Sequence, residues 1–86
     1  MNYSFENDVL TIAHEGRIDT NNAADVEKEI FEILGNNETD NVVIDLEKLN
    51  YISSAGLRVM LKIRKAKPMM KILNVQPSVY EVFETP

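Results

Sequence analysis

The fold of this chain is decided by residues 42–61, which read Val-Val-Ile-Asp-Leu-Glu-Lys-Leu-Asn-Tyr-Ile-Ser-Ser-Ala-Gly-Leu-Arg-Val-Met-Leu. Residues 42–46 predict a buried strand, because the run is short, mostly β-branched and bounded by polar residues. Residues 57–66 predict a helix, since their apolar side chains recur at helical spacing. Ser53 or Ser54 can cap that helix by accepting a hydrogen bond from an otherwise unpaired amide. The hydroxyl between strand and helix is therefore either a plain cap or a candidate switch.

The segment before this stretch predicts two strands and a helix. Residues 3–5 and 9–14 are extended, apolar in alternation and joined by a polar turn, which indicates a hairpin. A first helix is expected over residues 23–34, with apolar side chains on one face and Gly35 ending it. Its cap is expected to be one of three polar residues: Thr20, Asn21 or Asn22.

The segment after it predicts one more strand and one more helix. The second helix should stop near Pro68, and residues 70–75 should return as a strand. Pro77 then opens a short final helix. Because strands alternate with helices after the hairpin, the sequence predicts an α/β fold in which helices pack against a single mixed β-sheet. Residues 1–86 are expected to form one small domain, with no linker or internal repeat.

Composition excludes several classes of function. The chain has no cysteine, so it can build neither a disulfide nor a zinc–thiolate site, and a reducing, cytoplasmic location is expected. No apolar run approaches the roughly 20 residues that span a bilayer, so neither a signal peptide nor membrane insertion is expected. The net charge of −5 argues against nucleic acid as a partner. The three glycines are too scattered to cradle a phosphate group, and no cofactor is expected.

Charge is nevertheless unevenly distributed. Residues 1–57 contain twelve acids and three bases, whereas residues 58–71 contain no acid and six bases: Arg58, Lys62, Arg64, Lys65, Lys67 and Lys71. This basic stripe is either a solvated helix face, which the helix dipole favours near a C-terminus, or a docking surface for an acidic partner.

Three separated motifs resemble the STAS domain. They are Gly-Arg-Ile-Asp at residues 16–19, the segment 45–58 around the two serines, and residues 74–83. The resemblance covers nearly the whole chain in order, and within the family it is to the bacterial anti-sigma factor antagonists. It implies that Ser54, two positions before Gly56, is phosphorylated by a serine kinase that also serves as the anti-sigma factor. The unphosphorylated protein would bind this kinase-type anti-sigma factor and release its sigma factor, and a serine phosphatase would reset the switch.

The resemblance also implies a docking face. Asp19 and Asp45 match acidic or polar positions of the family and are expected to lie around the hydroxyl. The implied partner-binding residues are Asp19, Asp45, Ser53, Ser54, Ala55, Gly56 and Arg58. Two positions depart from the commonest antagonist pattern, with Ser53 in place of an aspartate and Ala55 in place of a second hydroxyl. Ser53 is thereby a possible competing phosphoacceptor.

Other functions fit less well. A Ser54 nucleophile would lack the glycine two residues before it, and the chain's one histidine, His14, lies on a predicted strand, so no catalytic residue is expected. Asp19 and Asp45 supply too few ligands for a metal site. The alternative function is that of a non-switching STAS subunit regulating an ABC-type transporter or a sensory complex. The chain ends soon after Phe83, which could expose an apolar edge, so a monomer or weak dimer is expected.

Overall fold

The computed structural model describes residues 1–84, and the side chains of residues 1–83. These residues form strands β1 (Asn2–Glu6), β2 (Val9–Ala13), β3 (Gly16–Ile18), β4 (Asn41–Asp45), β5 (Leu49–Ile52) and β6 (Lys71–Leu73). They form helices α1 (Ala23–Asn36), α2 (Ser54–Ala66) and α3 (Pro77–Glu84). The predicted alternation of strand and helix is confirmed, with two additional strands.

The main sheet has the order β1-β2-β4-β6. Strands β1 and β2 form the predicted antiparallel hairpin, and Asn7 and Asp8 turn it with φ of 52° and 64°. Two consecutive residues of positive φ match the right-handed twist of the flanking strands, and Asn and Asp tolerate this conformation. Strand β4 pairs in parallel with both β2 and β6. The prediction of a mixed sheet is confirmed.

A second sheet, which the sequence analysis missed, consists of β3 and β5 in parallel. Both strands are short, and neither is an uninterrupted apolar run. Their register places Ile18 opposite Ile52, and both side chains are buried. These strands are stabilised by the pairing of two segments that are far apart in the chain. The pattern of apolar residues within each segment therefore did not predict them.

Several predicted bounds were wrong. Helix α1 continues through Gly35 to Asn36, and the Asn37 side-chain amide donates to the Ile33 carbonyl at 2.9 Å, covering one of the last free carbonyls. Helix α2 begins three residues earlier than residue 57. Strand β6 is shorter than residues 70–75, because Asn74 adopts a φ of 59° that breaks extended backbone.

A single hydrophobic core holds both sheets and the helices. Helix α1 packs on α2, and β5 is packed by both α2 and α3. The core is formed by Leu10, Ile12, Ile18, Ala23, Val26, Ile30, Ile33, Leu34, Val42, Ile44, Leu46, Leu49, Ile52, Val59, Met60, Ile63, Met70 and Val79. The serine pair follows the end of β5 in the chain and is hydrogen-bonded to the end of β3. Because these two strands end in the buried residues Ile52 and Ile18, the start of α2 is anchored to the core.

Candidate functional site

The turn between β5 and α2 settles which serine caps the helix. The Ser53 N–H donates to the Ile18 carbonyl at 2.9 Å, which joins this turn to the end of β3. Ser53 has extended backbone, with φ of −92° and ψ of 173°, and its Oγ accepts a hydrogen bond from the Gly56 N–H at 3.2 Å. Ser53 is therefore the N-cap of α2, and Ser54 is the first helical residue.

Ser54 is the exposed hydroxyl of the pair. Its side chain makes no hydrogen bond within residues 1–83, whereas Ser53 is half-buried and uses its oxygen in the cap. Arg58 follows Ser54 by four residues on the same helix, so the two positions are neighbours on one face. Arg58 is exposed and forms no ion pair with any described carboxylate. An anion attached to Ser54 would meet the unpaired amides of the first turn and this cation.

Gly56 lets helix α2 approach the small sheet closely. A Cβ atom at this buried position would lie 2.6 Å from Ile52 Cγ1 and 2.9 Å from Ile18 Cγ2. Both distances are below normal van der Waals contact, so no larger side chain fits without movement of the core. Ala55, next to it, is half-buried and packs against the same core. Gly56 therefore fixes how far the Ser53–Ser54 turn lies from β3.

Asp19 organises the loop that follows β3. Its Oδ2 pairs with Arg17 Nε at 2.9 Å, and its Oδ1 accepts from the N–H groups of Asn21 and Asn22 at 2.9 and 3.1 Å. Asn22 is the N-cap of α1 by backbone position, but its side chain makes no cap bond and instead accepts from the Asp19 N–H at 2.7 Å. The prediction of a capping side chain at Thr20, Asn21 or Asn22 was therefore wrong, because the Asn22 oxygen is used by the Asp19 N–H and the Ala23 N–H donates to the Asp19 carbonyl at 2.9 Å.

Arg17 and Tyr51 form a contact beside this loop that sequence reasoning missed. They face each other in the β3–β5 register, and the Arg17 guanidinium lies 4.8 Å from the centroid of the Tyr51 ring. This geometry is a cation–π contact. Tyr51 remains 45% exposed, so the pair is part of the surface next to the serine turn. No local signal could have indicated the pair, because it depends on the unpredicted pairing of β3 with β5.

Asp45 takes part in hydrogen bonds that are separate from those of the Asp19 loop and the serine turn. It ends β4, and its Oδ1 accepts from the Glu47 N–H at 3.0 Å and from the Asn74 side-chain amide at 3.2 Å. None of its hydrogen bonds within the described residues involves Ser53 or Ser54. The structure thus joins the Asp19 loop to the serine turn through the backbone, and the place of Asp45 in the docking face stays a prediction.

The other polar side chains considered in the sequence analysis are His14 and the groups that could bind a metal ion. His14 Nε2 lies 3.0 Å from the Arg17 carbonyl and can donate to it. No three His, Asp or Glu side chains within residues 1–83 are arranged to hold a metal ion. The described helices are all too short or too polar to cross a membrane.

The fold and the site together define a small α/β domain with an exposed serine at a helix start. The STAS domain family model matches residues 1–85. The chain is also 38% identical over 80 residues to BtrV of Bordetella bronchiseptica, a proposed anti-sigma factor antagonist, in a match that covers 88% of this chain and 68% of BtrV. This chain belongs to the STAS domain family, and within it to the anti-sigma factor antagonists.

Two solved structures share the fold. A proposed anti-sigma factor antagonist from Thermotoga maritima superposes with a TM-score of 0.85 at 20% identity, covering 95% of this chain and 74% of that one. The anti-sigma factor antagonist SpoIIAA in its unphosphorylated form superposes with a TM-score of 0.74 at 19% identity, covering 96% of this chain and 78% of SpoIIAA. At these identities the two structures support the fold alone.

Removing the Ser53 hydroxyl should destabilise the protein more than removing that of Ser54. Ser53→Ala deletes the cap bond to Gly56 and should lower the free energy of unfolding by about 1 kcal/mol. Ser54→Ala deletes an exposed hydroxyl without a described partner and should change it by less than about 0.5 kcal/mol. Urea unfolding of the two variants measures both values. Equal losses would show that Ser53 is not the cap in solution.

Proposed function

We propose that this protein is an anti-sigma factor antagonist that binds a kinase-type anti-sigma factor, releasing its sigma factor, while Ser54 is unphosphorylated. The observation that carries the proposal is the division of roles between two adjacent serines. Ser53 is half-buried and caps α2, and Ser54 is exposed at the first position of the same helix. A kinase can reach the second hydroxyl without disrupting the first.

This division supports Ser54 as the phosphorylation site rather than Ser53. To accept a phosphoryl group, Ser53 Oγ would have to leave the Gly56 amide, which lies 3.2 Å away, and the helix would lose its cap. Ser54 has no such bond to break. The capping role of Ser53 explains how a second serine can stand next to the proposed phosphosite without competing with it.

The phosphorylated domain should stay folded. A phosphoserine carries about −1.5 to −2 charges at pH 7. At Ser54 this charge would face the positive end of the α2 dipole and lie one turn from Arg58, and both interactions favour an anion. The switch would therefore act on the surface of the domain and not on its stability.

Binding should respond strongly to the same charge. The Ser53 N–H donates to the Ile18 carbonyl, which holds the serine turn next to the end of β3, so a phosphate on Ser54 would add negative charge to the surface that includes the Asp19 loop. A partner surface that is complementary to an uncharged hydroxyl would then have to bury a dianion for which it supplies no cation of its own, which is costly. Phosphorylation would release the anti-sigma factor, and a serine phosphatase would restore binding.

The proposed docking face combines the serine turn with its surroundings. It contains Asp19, Asp45, Ser53, Ser54, Ala55, Gly56 and Arg58, and the exposed Arg17–Tyr51 pair extends it. Arg and Tyr are enriched among the residues that dominate binding energy at interfaces. On this proposal the protein works in the cytoplasm as a binding protein rather than an enzyme, and Gly56 acts by positioning the turn.

Affinity capture from the native cell lysate tests the proposal. Wild type, Ser54→Ala and Ser54→Asp baits are compared, and the bound proteins are identified by mass spectrometry. The expected result is an ATP-binding serine kinase recovered by the first two baits and lost with the third. A transporter ATPase or sensory protein recovered equally by all three would overturn the proposal and indicate a non-switching STAS subunit.

A further inference from the structure

An apolar groove lies on the side of the molecule formed by α2, β6 and α3. It has a volume of about 360 Å³, and its lining includes Leu57, Leu61, Arg64, Met70, Ile72 and Phe83. On the other side of Leu61, a second depression of about 340 Å³ lies among basic residues of α2. The two depressions share Leu61 and Arg64, so they form one continuous surface, called here the α2 groove.

The shape of the α2 groove suits a helix more than an enclosed small ligand. Leu61 is 62% exposed and projects between the two depressions instead of closing over either. Residues 57, 61 and 64 follow one another at intervals of four and three, which places them on one ridge of α2. Seven residues of helix extend about 10 Å, or two turns. A partner helix could seat apolar side chains on both sides of this ridge.

The charge of the rim defines the chemistry of that partner. Arg58, Arg64 and Lys65 form no ion pair with any carboxylate of residues 1–83, whereas Lys62 pairs with Glu27 at 2.9 Å. Residues 58–71 contain no acid that could neutralise this surface. An occupant that brings its own carboxylates would complete the charge balance.

Charge also argues against a second copy of this chain as the occupant. A symmetric dimer places the same patch of both subunits face to face. Here that arrangement would bring together the basic rims of both copies, which include Arg64 and Lys65, in an interface from which water is excluded. Like charges in such a contact are destabilising.

We infer that the α2 groove is a second docking surface, which takes an amphipathic helix of a partner protein with an apolar stripe flanked by Asp or Glu. The inference does not depend on the role of Ser54, because Ser54 lines neither of the two depressions. It gives the basic stripe of residues 58–71 a binding role in place of a merely solvated one.

A pair of synthetic peptides tests the inference on the full chain. One 18-residue peptide carries leucines along one helical stripe with glutamates on both sides, and its isomer has the same composition with the leucines distributed around the helix. Fluorescence anisotropy of labelled peptide should show at least tenfold tighter binding of the striped peptide, with affinity falling as salt is raised. Equal binding of the two isomers, or no binding of the striped peptide at about 1 mM, would overturn the inference.

Matched variants locate the binding. Leu61→Glu and Arg64→Glu should each weaken the striped peptide at least tenfold, whereas Lys28→Glu, the same charge change on an exposed residue of α1, should alter affinity less than threefold. Ser54→Asp should also leave the affinity for the striped peptide within threefold, which separates this surface from the proposed switch.

Because Leu61 and Arg64 are exposed, both variants should fold, and if Leu61→Glu unfolds, Arg64→Glu decides the test. An equal loss with Lys28→Glu, or a dimer in sedimentation that Leu61→Glu dissociates, would refute a helical partner at this groove.

Discussion

Ser54→Asp is expected to weaken binding of the cognate anti-sigma factor by at least about tenfold, which corresponds to about 1.4 kcal/mol. The substitution puts a permanent negative charge on an exposed hydroxyl position beside the Asp19 loop, where a partner surface would have to cover it without a matching cation. Ser54→Ala removes the phosphoacceptor without adding charge and should bind about as tightly as wild type. Isothermal titration with the kinase recovered from the lysate measures the three affinities.

A matched control tests whether the loss of affinity depends on where the negative charge is placed and not only on the change in net charge. Ser4→Asp adds the same charge to an exposed serine on β1, the edge strand of the main sheet, and should leave the affinity unchanged within twofold. Thermal unfolding of each variant checks that the domain is intact. If Ser54→Asp bound as tightly as wild type, or if Ser4→Asp lost as much affinity, a charge switch at the start of α2 would be refuted.

Gly56→Ala is expected to destabilise the protein through overpacking, although it adds only one methyl group. The added Cβ would lie 2.6 Å from Ile52 and 2.9 Å from Ile18, both in the buried core. Overpacking of this kind costs about 1–3 kcal/mol. Alanine has the higher helix propensity by about 1 kcal/mol, and because the two close contacts are to buried core atoms we expect overpacking near the upper end of that range and a net loss of about 1–2 kcal/mol. Unfolding by heat should show a midpoint lower by several degrees, since 1 kcal/mol corresponds to about 4–8 °C in a domain of this size.

Gly35→Ala is the control for this prediction. Gly35 is also helical, but nothing lies within 4 Å of the position that its Cβ would take. The same substitution there should raise the free energy of unfolding by about 0.5–1 kcal/mol through helix propensity alone. Gly56→Ala should also weaken binding of the anti-sigma factor, because the serine turn must move away from β3. A Gly56→Ala protein as stable as wild type would contradict the close approach of α2 to the small sheet.

Patterns that lie within a single element predicted most of the fold. The β-branched run before Asp45 and the helical spacing after Gly56 indicated the central strand and helix correctly, and the hairpin followed from the polar turn at residues 6–8. Each of these signals arises from neighbouring residues that share one face. Strands β3 and β5 carried no such signal, because three or four residues of mixed polarity become strands only when they pair with each other.

The candidate site also has features that the sequence indicated and features that depend on contacts between distant segments. The sequence could indicate that a hydroxyl lies between strand and helix, and it left open whether Ser53 or Ser54 is the cap. That choice depends on where Ile18 and Gly56 place the turn, since the Ser53 N–H donates to the Ile18 carbonyl and the Ser53 Oγ accepts from the Gly56 N–H. The contact of Arg17 with Tyr51 also required the β3–β5 pairing.

The sequence by itself determined the order of most elements, the excess of acid before α2 and of base within it, and the serine pair at the start of that helix. These properties are local, since they depend on residues a few positions apart. Only the tertiary structure decided which serine is exposed and which close packing requires a glycine at position 56. It also decided that Leu57, Leu61 and Phe83 line one groove. Those outcomes depend on contacts between segments that are far apart in the chain, and such contacts form only when burial of a shared core brings the segments together.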